Sequence, residues 1–237
     1  QGAVYGGSTP GRIGAYLYSP AFAHAIWPLT QLTWPLFAAL WTVLNCAALW
    51  WLLGRLALPS LLFLPISFEI VSGNVHLLIA AAIVAGFRLP MWWALPILTK
   101  VTPAVGLAWF LVRREWRAFV VALGLSGALA AGSFLVVPGL WRQWIALLVG
   151  DLGTPLQTLG WYLPVPLLIR LPVAALVVAW GARNGRAWTV PVGVTLALPI
   201  VWLNSLATLA AVVPLLGWRL GIPAPATRLA PAARGES

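Results

Sequence analysis

The chain has 237 residues, of which 62% are hydrophobic and 8% charged, with a mean hydropathy of +0.94. A soluble domain of this size cannot hide that much apolar surface, so lipid must be the solvent for most of the chain. Fourteen basic against four acidic residues give a formal charge of +10, but the basic residues are scattered between apolar runs, which excludes a nucleic-acid-binding patch and points to membrane topology. A single cysteine, Cys46, sits inside an apolar run and excludes a disulfide framework.

Residues 1–32 are Gly-, Tyr- and Pro-rich and read as an outer loop and helix entry. The chain begins at Gln1 without a signal-peptide pattern, which predicts that part of the N-terminus is missing. A run of spanning length follows at 33–54, closed by Arg55, and then two short apolar runs at 57–72 and 74–86, the second closed by Arg88. The segment LPMWWALPILTKVTPAVGLAWFLVRREWR holds two apolar halves broken at Lys100–Pro103. Each half supplies about half of the ~20 residues that a full crossing needs, so they fit a re-entrant hairpin or two thin, tilted spans. Residues 118–137 form a clean span, 138–162 a Trp- and Gly-bearing outer loop with some amphipathic character, and 163–181, 187–203 and 204–218 complete the set. The tail at 219–237 is Pro/Ala-rich and reads as a disordered cytoplasmic segment. The fold class is therefore all-α: a polytopic transmembrane helical bundle over 33–218, with about seven spans plus a re-entrant or thin helical hairpin.

Charge orients the bundle. With the first loop outside, Arg55, Arg88, Arg113, Arg114, Arg117, Arg183, Arg186, Arg219, Arg228 and Arg234 fall at inner ends. Only Arg12, Lys100, Arg142 and Arg170 remain outside or within the membrane, as the positive-inside rule expects. The polar exceptions then share the outer side: YLYSP (Tyr16 to Pro20), Glu69 to His76, Lys100 to Thr102, the loop around Asp151, and WLNS (Trp202 to Ser205). Convergence on one face suggests a site.

The stretch PISFEIVSGNVHLL places Glu69, Asn74 and His76 between two apolar runs. Glu69 could sit in the headgroup region, but its neighbours Phe68 and Ile70 favour a buried or cavity-facing position, and acids within a membrane tend to mark function. His76 reads equally as a hydrogen-bonded packing residue or as a ligand-binding group. The two histidines, His24 and His76, are far apart in sequence and no acid pair adjoins either, so no dedicated metal centre is expected. Lys100 is the sharpest signal. Either it snorkels to the interface, or it aims a cation at a phosphate or carboxylate in a polar cavity. The break at Pro103 favours the cavity, because irregular backbone at membrane depth needs protein or water around it. The pairs Trp50–Trp51 and Trp92–Trp93 read as interface packing.

The ordered motifs GNVHLLIAAAIVAGFR and ALPILTKVTPAVGLAWFLVRREWRA resemble the family-87 polyprenyl-phosphate-mannose-dependent mannosyltransferases, integral-membrane enzymes of the C-type glycosyltransferase superfamily. That family shows Gly-Gln-x-Asn at a helix start, then Lys-x-x-Pro, then a basic Arg/Trp cluster. Here Gly73 matches, Asn74 stands for the Gln and His76 for the Asn; Lys100, Pro103, Arg113, Arg114, Trp116 and Arg117 match. Upstream, YLYSP is similar to the family's Tyr-x-Pro-Pro, with Ser19 in the first proline's place. Downstream, LPIVWLNS is similar to its Pro-x-x-Trp segment at Pro199 and Trp202. The similarity covers 16–218.

The resemblance implies a membrane hexosyltransferase of the bacterial cytoplasmic (inner) membrane, with its active site facing outward. It would move a sugar, mannose by analogy, from a polyprenyl-phosphate donor to a glycan or lipid-glycan acceptor with inversion, without a cofactor. The family's catalytic base is an aspartate after the first transmembrane helix. No acid precedes Glu69 here, so the base is expected upstream of Gln1, with Glu69 as the fallback; the alternative is a diverged, inactive relative. Lys100 would meet the donor phosphate, assisted by Arg12, Arg142 or His76, while Asn74, Glu69, Tyr18 and Asn204 line the substrate site. Tyr16, Tyr18 and Trp161 could stack on the sugar, and interface anchoring explains them as well. Two rivals stay open on the sequence: a lipid or solute transporter or flippase, against which no inverted repeat partners the Lys100–Pro103 break, and a non-catalytic subunit that binds lipid phosphate.

Overall fold

A computed structural model describes Tyr5, residues 17–150 and residues 165–217. Arg12, Tyr16, Asp151, Trp161 and the tail at 219–237 lie outside the described residues, as do most of the first loop and of 138–162 beyond Gly150.

The described elements are helical, and many are short. In chain order they are α1 (Pro20–Ile26), α2 (Trp34–Leu53), α3 (Ala57–Ser60), α4 (Leu64–Ser72), α5 (His76–Gly86), α6 (Ala94–Thr99), α7 (Ala108–Val112), α8 (Trp116–Val136), α9 (Pro138–Gly150), α10 (Leu167–Arg183), α11 (Thr189–Ala197) and α12 (Val212–Leu215). Tighter 3₁₀ turns join several of them, notably Pro90–Trp93, Thr102–Leu107 and Leu203–Ala211.

Among the described residues, Trp34–Ser60 and Trp116–Val136 are long and apolar enough to cross a membrane, and α4 with α5 would count as a third, bent span. Large apolar side chains stand open on these elements, such as Trp34 at 74%, Val71 at 84% and Leu135 at 80% exposure. Surfaces of that kind demand lipid rather than water. The expected seven-span count is not reached by length and composition, because several expected runs are interrupted. The run 57–72 divides into α3 and α4, and 187–218 divides into α11, the 3₁₀ turn Leu203–Ala211 and α12. Residues 138–150, expected as part of a loop, form α9 instead. Trp141 Nε1 donates to Ser133 Oγ at 3.0 Å and Trp144 Nε1 to the Leu17 carbonyl at 3.2 Å, tying α9 to α8 and to the entry of α1.

The breaks have local causes. Gly73 ends α4 with a left-handed φ of +62°. The Asn74 N–H donates to the Glu69 carbonyl at 3.3 Å and the Gly73 N–H to the Ile70 carbonyl at 3.2 Å, the paired bonds of a glycine-terminated helix. The chain then turns, and α5 leaves at 108° to α4. At the other break Lys100 is extended (φ −144°, ψ 119°), and Pro103 is the second residue of the next 3₁₀ turn. Trp93 holds that break in place. Interface packing was expected of both members of the pair Trp92–Trp93. Only Trp92 is exposed, at 48%; Trp93 is fully buried. Its ring lies against Gly86 of α5 and Gly106 after the break, so closely that a Cβ at either glycine would fall 2.6 Å or 2.3 Å from it. Trp93, Phe110, Ile79, Ile83, Val178, Val190 and Val194 form the core around this wedge.

Candidate functional site

Four chain segments meet at the two breaks. Glu69 comes from the last turns of α4, His76 opens α5, Lys100 follows α6, and Asn204 lies in the 3₁₀ turn Leu203–Ala211. The reversal at Gly73 folds α5 back so that the Glu69 carboxylate reaches its start. Glu69 Oε1 accepts from the His76 backbone N–H, satisfying one of the donors that the first turn of a helix leaves unpaired. Glu69 Oε2 lies 3.0 Å from His76 Nδ1 and accepts from Asn204 Nδ2 at 2.9 Å. On the far side of the ring, His76 Nε2 lies 2.9 Å from Lys100 Nζ. With Nδ1–H donating to the carboxylate, Nε2 keeps its lone pair and accepts from the ammonium.

Burial is graded along this chain of contacts. Glu69 and His76 are fully buried and Asn204 is 4% exposed, whereas Lys100 is only partly covered. Lys100 is thus the one member of the relay that is not fully enclosed, and Glu69 lies behind it. Between snorkelling and turning inward, the lysine turns inward to His76. Between headgroup and buried positions, Glu69 takes the buried one. It accepts three hydrogen bonds and presents no oxygen to an acceptor hydroxyl, so the geometry disfavours its fallback role as base.

A second polar group flanks the lysine. Lys100 Nζ lies 6.0 Å from the centre of the Tyr18 ring, within range of a cation–π attraction. The Tyr18 hydroxyl donates to Asn74 Oδ1 at 2.7 Å, and that oxygen also accepts from the Val75 N–H at 2.9 Å. With its oxygen occupied, the Asn74 side chain has its Nδ2 amide hydrogens for further donation. The Asn74 carbonyl accepts from Trp41 Nε1 of α2 at 3.3 Å.

Of the residues expected in the site, Glu69, Asn74, His76, Lys100, Tyr18 and Asn204 are brought together. Arg142 is an exposed residue of α9 and is not part of the hydrogen-bonded cluster; Arg12 lies outside the described residues. Three supporting residues escaped the sequence reading. Ser19 caps α1 by accepting from the Phe22 N–H at 3.3 Å, and its hydroxyl donates to the Leu98 carbonyl just before Lys100. Trp41 holds the Asn74 backbone. Arg170, 5% exposed, donates to the carbonyls of Val165, Leu196, Leu198 and Pro199 at 2.6–2.8 Å. It clamps the irregular backbone between α11 and the turn that carries Asn204. A buried cation in an apolar run was the available signal for Arg170. Nothing in the spacing of Ser19 or Trp41 announces partners 79 and 33 positions away. Among the described residues no group of three or more His, Cys, Asp or Glu side chains is placed to hold a metal ion.

The cluster can hold one anion against the Lys100 ammonium, with amide and aromatic groups beside it. The sequence profile described as glycosyltransferase family 87 matches residues 16–220, which includes every member of the cluster. A relative of known description is the polyprenol-phosphate-mannose-dependent alpha-(1-2)-phosphatidylinositol pentamannoside mannosyltransferase of Mycolicibacterium smegmatis, 26% identical over 170 residues. That alignment covers 62% of this chain and 42% of the relative, so the chain spans less than half of the relative's length. No solved structure matches the chain.

Proposed function

The chain belongs to glycosyltransferase family 87, and we propose that it transfers mannose from a polyprenyl-phosphate donor to a glycan or glycolipid acceptor at the outer face of a bacterial cytoplasmic membrane. The observation that carries the reading is the Lys100 ammonium, held 2.9 Å from His76 Nε2 at the least buried end of a polar relay. A lipid phosphate is an anion attached to an apolar tail. A cation within an apolar bundle, with Asn74 and Tyr18 beside it, suits that headgroup. The relative's printed donor supports the same chemistry, and family membership favours transfer over transport. The proposed setting is a polytopic bundle of about seven spans whose polar breaks face outward, as the arginine asymmetry of the sequence supports.

In the proposed step a base removes the proton from an acceptor hydroxyl, and that oxygen attacks the anomeric carbon from the face opposite the phosphate. The new C–O bond forms as the bond from the anomeric carbon to the phosphate oxygen breaks, and configuration inverts. The leaving lipid phosphate carries away the bonding pair and gains negative charge. The Lys100 ammonium stabilises that charge where it develops, which is the interaction that speeds the step. Asn74 Nδ2 and the Tyr18 ring are proposed to meet the sugar. The base is proposed to be a carboxylate other than Glu69, whose oxygens are engaged in the interior.

The test is donor chemistry and stereochemistry. Membranes carrying the full chain should transfer mannose from a synthetic polyprenyl-phosphate mannose of β configuration to give an α-linked product. Transfer from a nucleotide-linked mannose alone, or a β-linked product, would contradict the proposal.

A further inference from the structure

A lysine side chain is a flexible stem ending in a small, strongly hydrated charge. For it to act on a transferring phosphate, something must hold it. Lys100 sits at an extended break between short helices, where the backbone alone imposes little on the position of Nζ. Its hydrogen-bond partner in the protein interior is His76 Nε2. The ring in turn is fixed from behind: Glu69 Oε2 accepts from Nδ1–H, and Asn204 Nδ2 and the His76 N–H hold the carboxylate. The Tyr18 ring bounds the ammonium on another side.

The choice of a neutral acceptor is what gives this arrangement its sense. A carboxylate bonded directly to Lys100 would hold the ammonium and also satisfy its charge, in competition with a phosphate. An imidazole between the two separates the tasks. It takes one N–H of the ammonium and leaves two for an anionic ligand, while the charge of Glu69 stays behind the ring. The same side chain is 1% exposed, so it cannot itself meet a substrate.

We propose that His76 is the positioning residue for Lys100, and that Glu69 and Asn204 act through it by fixing its tautomer and orientation. This rests on the reading above that Lys100 meets the donor phosphate. The relay joins the α4–α5 pair to the break at Lys100 and to the distant turn carrying Asn204, so the position of the cation depends on that turn as well as on its own break.

The experiment compares His76→Leu, His76→Gln, Lys100→Met and the double variant His76→Leu/Lys100→Met in the full chain. It measures mannose transfer from a synthetic polyprenyl-phosphate mannose, with folded protein quantified by size-exclusion chromatography in detergent. His76→Leu removes the acceptor, and kcat should fall about 100-fold, as displacement of a positioned group by roughly 1 Å can do. His76→Gln places an amide oxygen near the former Nε2 and should stay within about tenfold of wild type. The double variant should be no slower than Lys100→Met, because His76 acts only through the lysine. A merely structural histidine would lower the folded fraction and leave the kcat of folded protein unchanged. Wild-type kcat in folded His76→Leu, a His76→Gln loss as large as that of His76→Leu, or a double variant slower than Lys100→Met would overturn the proposal. Should His76→Leu not fold, His76→Ser, polar but too short to reach Nζ, takes its place in each comparison. Wild-type transfer by Lys100→Met would instead remove the reading of Lys100 itself, and the positioning role with it.

Discussion

Replacing Arg170 with methionine keeps much of the side chain's length and removes its guanidinium. Four bonds go with it: to the Val165 carbonyl at 2.7 Å, Leu196 at 2.6 Å, Leu198 at 2.7 Å and Pro199 at 2.8 Å. These carbonyls lie ahead of α10 (Val165), in the last turn of α11 (Leu196) and just beyond it (Leu198 and Pro199). At about 1 kcal/mol net for each hydrogen bond lost, the loss comes to about 4 kcal/mol. That is a large share of the ~5–15 kcal/mol that holds a typical domain together. Arg170→Lys keeps a charge and three donors but lacks the planar fork, and should lose about 2 kcal/mol. The assay is reversible unfolding in mixed detergent micelles, followed by tryptophan fluorescence, with Arg142→Met as an exposed control that should stay within about 0.5 kcal/mol of wild type. An Arg170→Met protein within about 1 kcal/mol of wild type would refute the clamp, and with it the account of how the turn bearing Asn204 is held.

Three further outcomes follow from the structure and the sequence. Gly106→Ala puts a Cβ 2.3 Å from the buried Trp93 ring and should destabilise by about 1–3 kcal/mol, read in the same unfolding assay; Gly124→Ala, with open space around it, should not. In a Cys46→Ala background, cysteines at Gly11 and Gly153 should react with an impermeant thiol reagent in intact cells while one at Asn184 stays protected, and labelling at Asn184 alone would invert the orientation. Transfer by the full chain should survive a chelator; loss with EDTA and recovery with Mg²⁺ or Mn²⁺ would direct attention to Asp151 and Glu69 as ligands.

The site was legible where its members are costly in lipid. A carboxylate, an imidazole and an ammonium within apolar runs have few reasons to be there other than one another or a ligand. Their pairing was not legible. The reading put His76 and Lys100 on a common face, but the order Asn204–Glu69–His76–Lys100 depends on a 108° bend and on a turn 135 positions from Glu69. Long clean spans such as α2 and α8 follow from hydropathy within two residues at each end. The runs 187–203 and 204–218 looked continuous because hydropathy does not register where hydrogen bonds stop. There the backbone breaks around Pro199, and Arg170 supplies the donors. Trp92 and Trp93 illustrate the same limit. Composition assigns both to the interface, whereas two glycines, Gly86 and Gly106, make room for only the second to enter the core.

The central claim is that the Lys100 ammonium serves a transferring lipid phosphate. Its most direct test is the rate of mannose transfer from synthetic polyprenyl-phosphate mannose by folded Lys100→Met protein, measured beside wild type. Removing one preorganised contact to developing charge costs about 2.7–4 kcal/mol, or roughly 10²–10³ in kcat, and the account predicts a loss of that size, with Lys100→Arg retaining part of the activity. Transfer by folded Lys100→Met at the wild-type rate would contradict it.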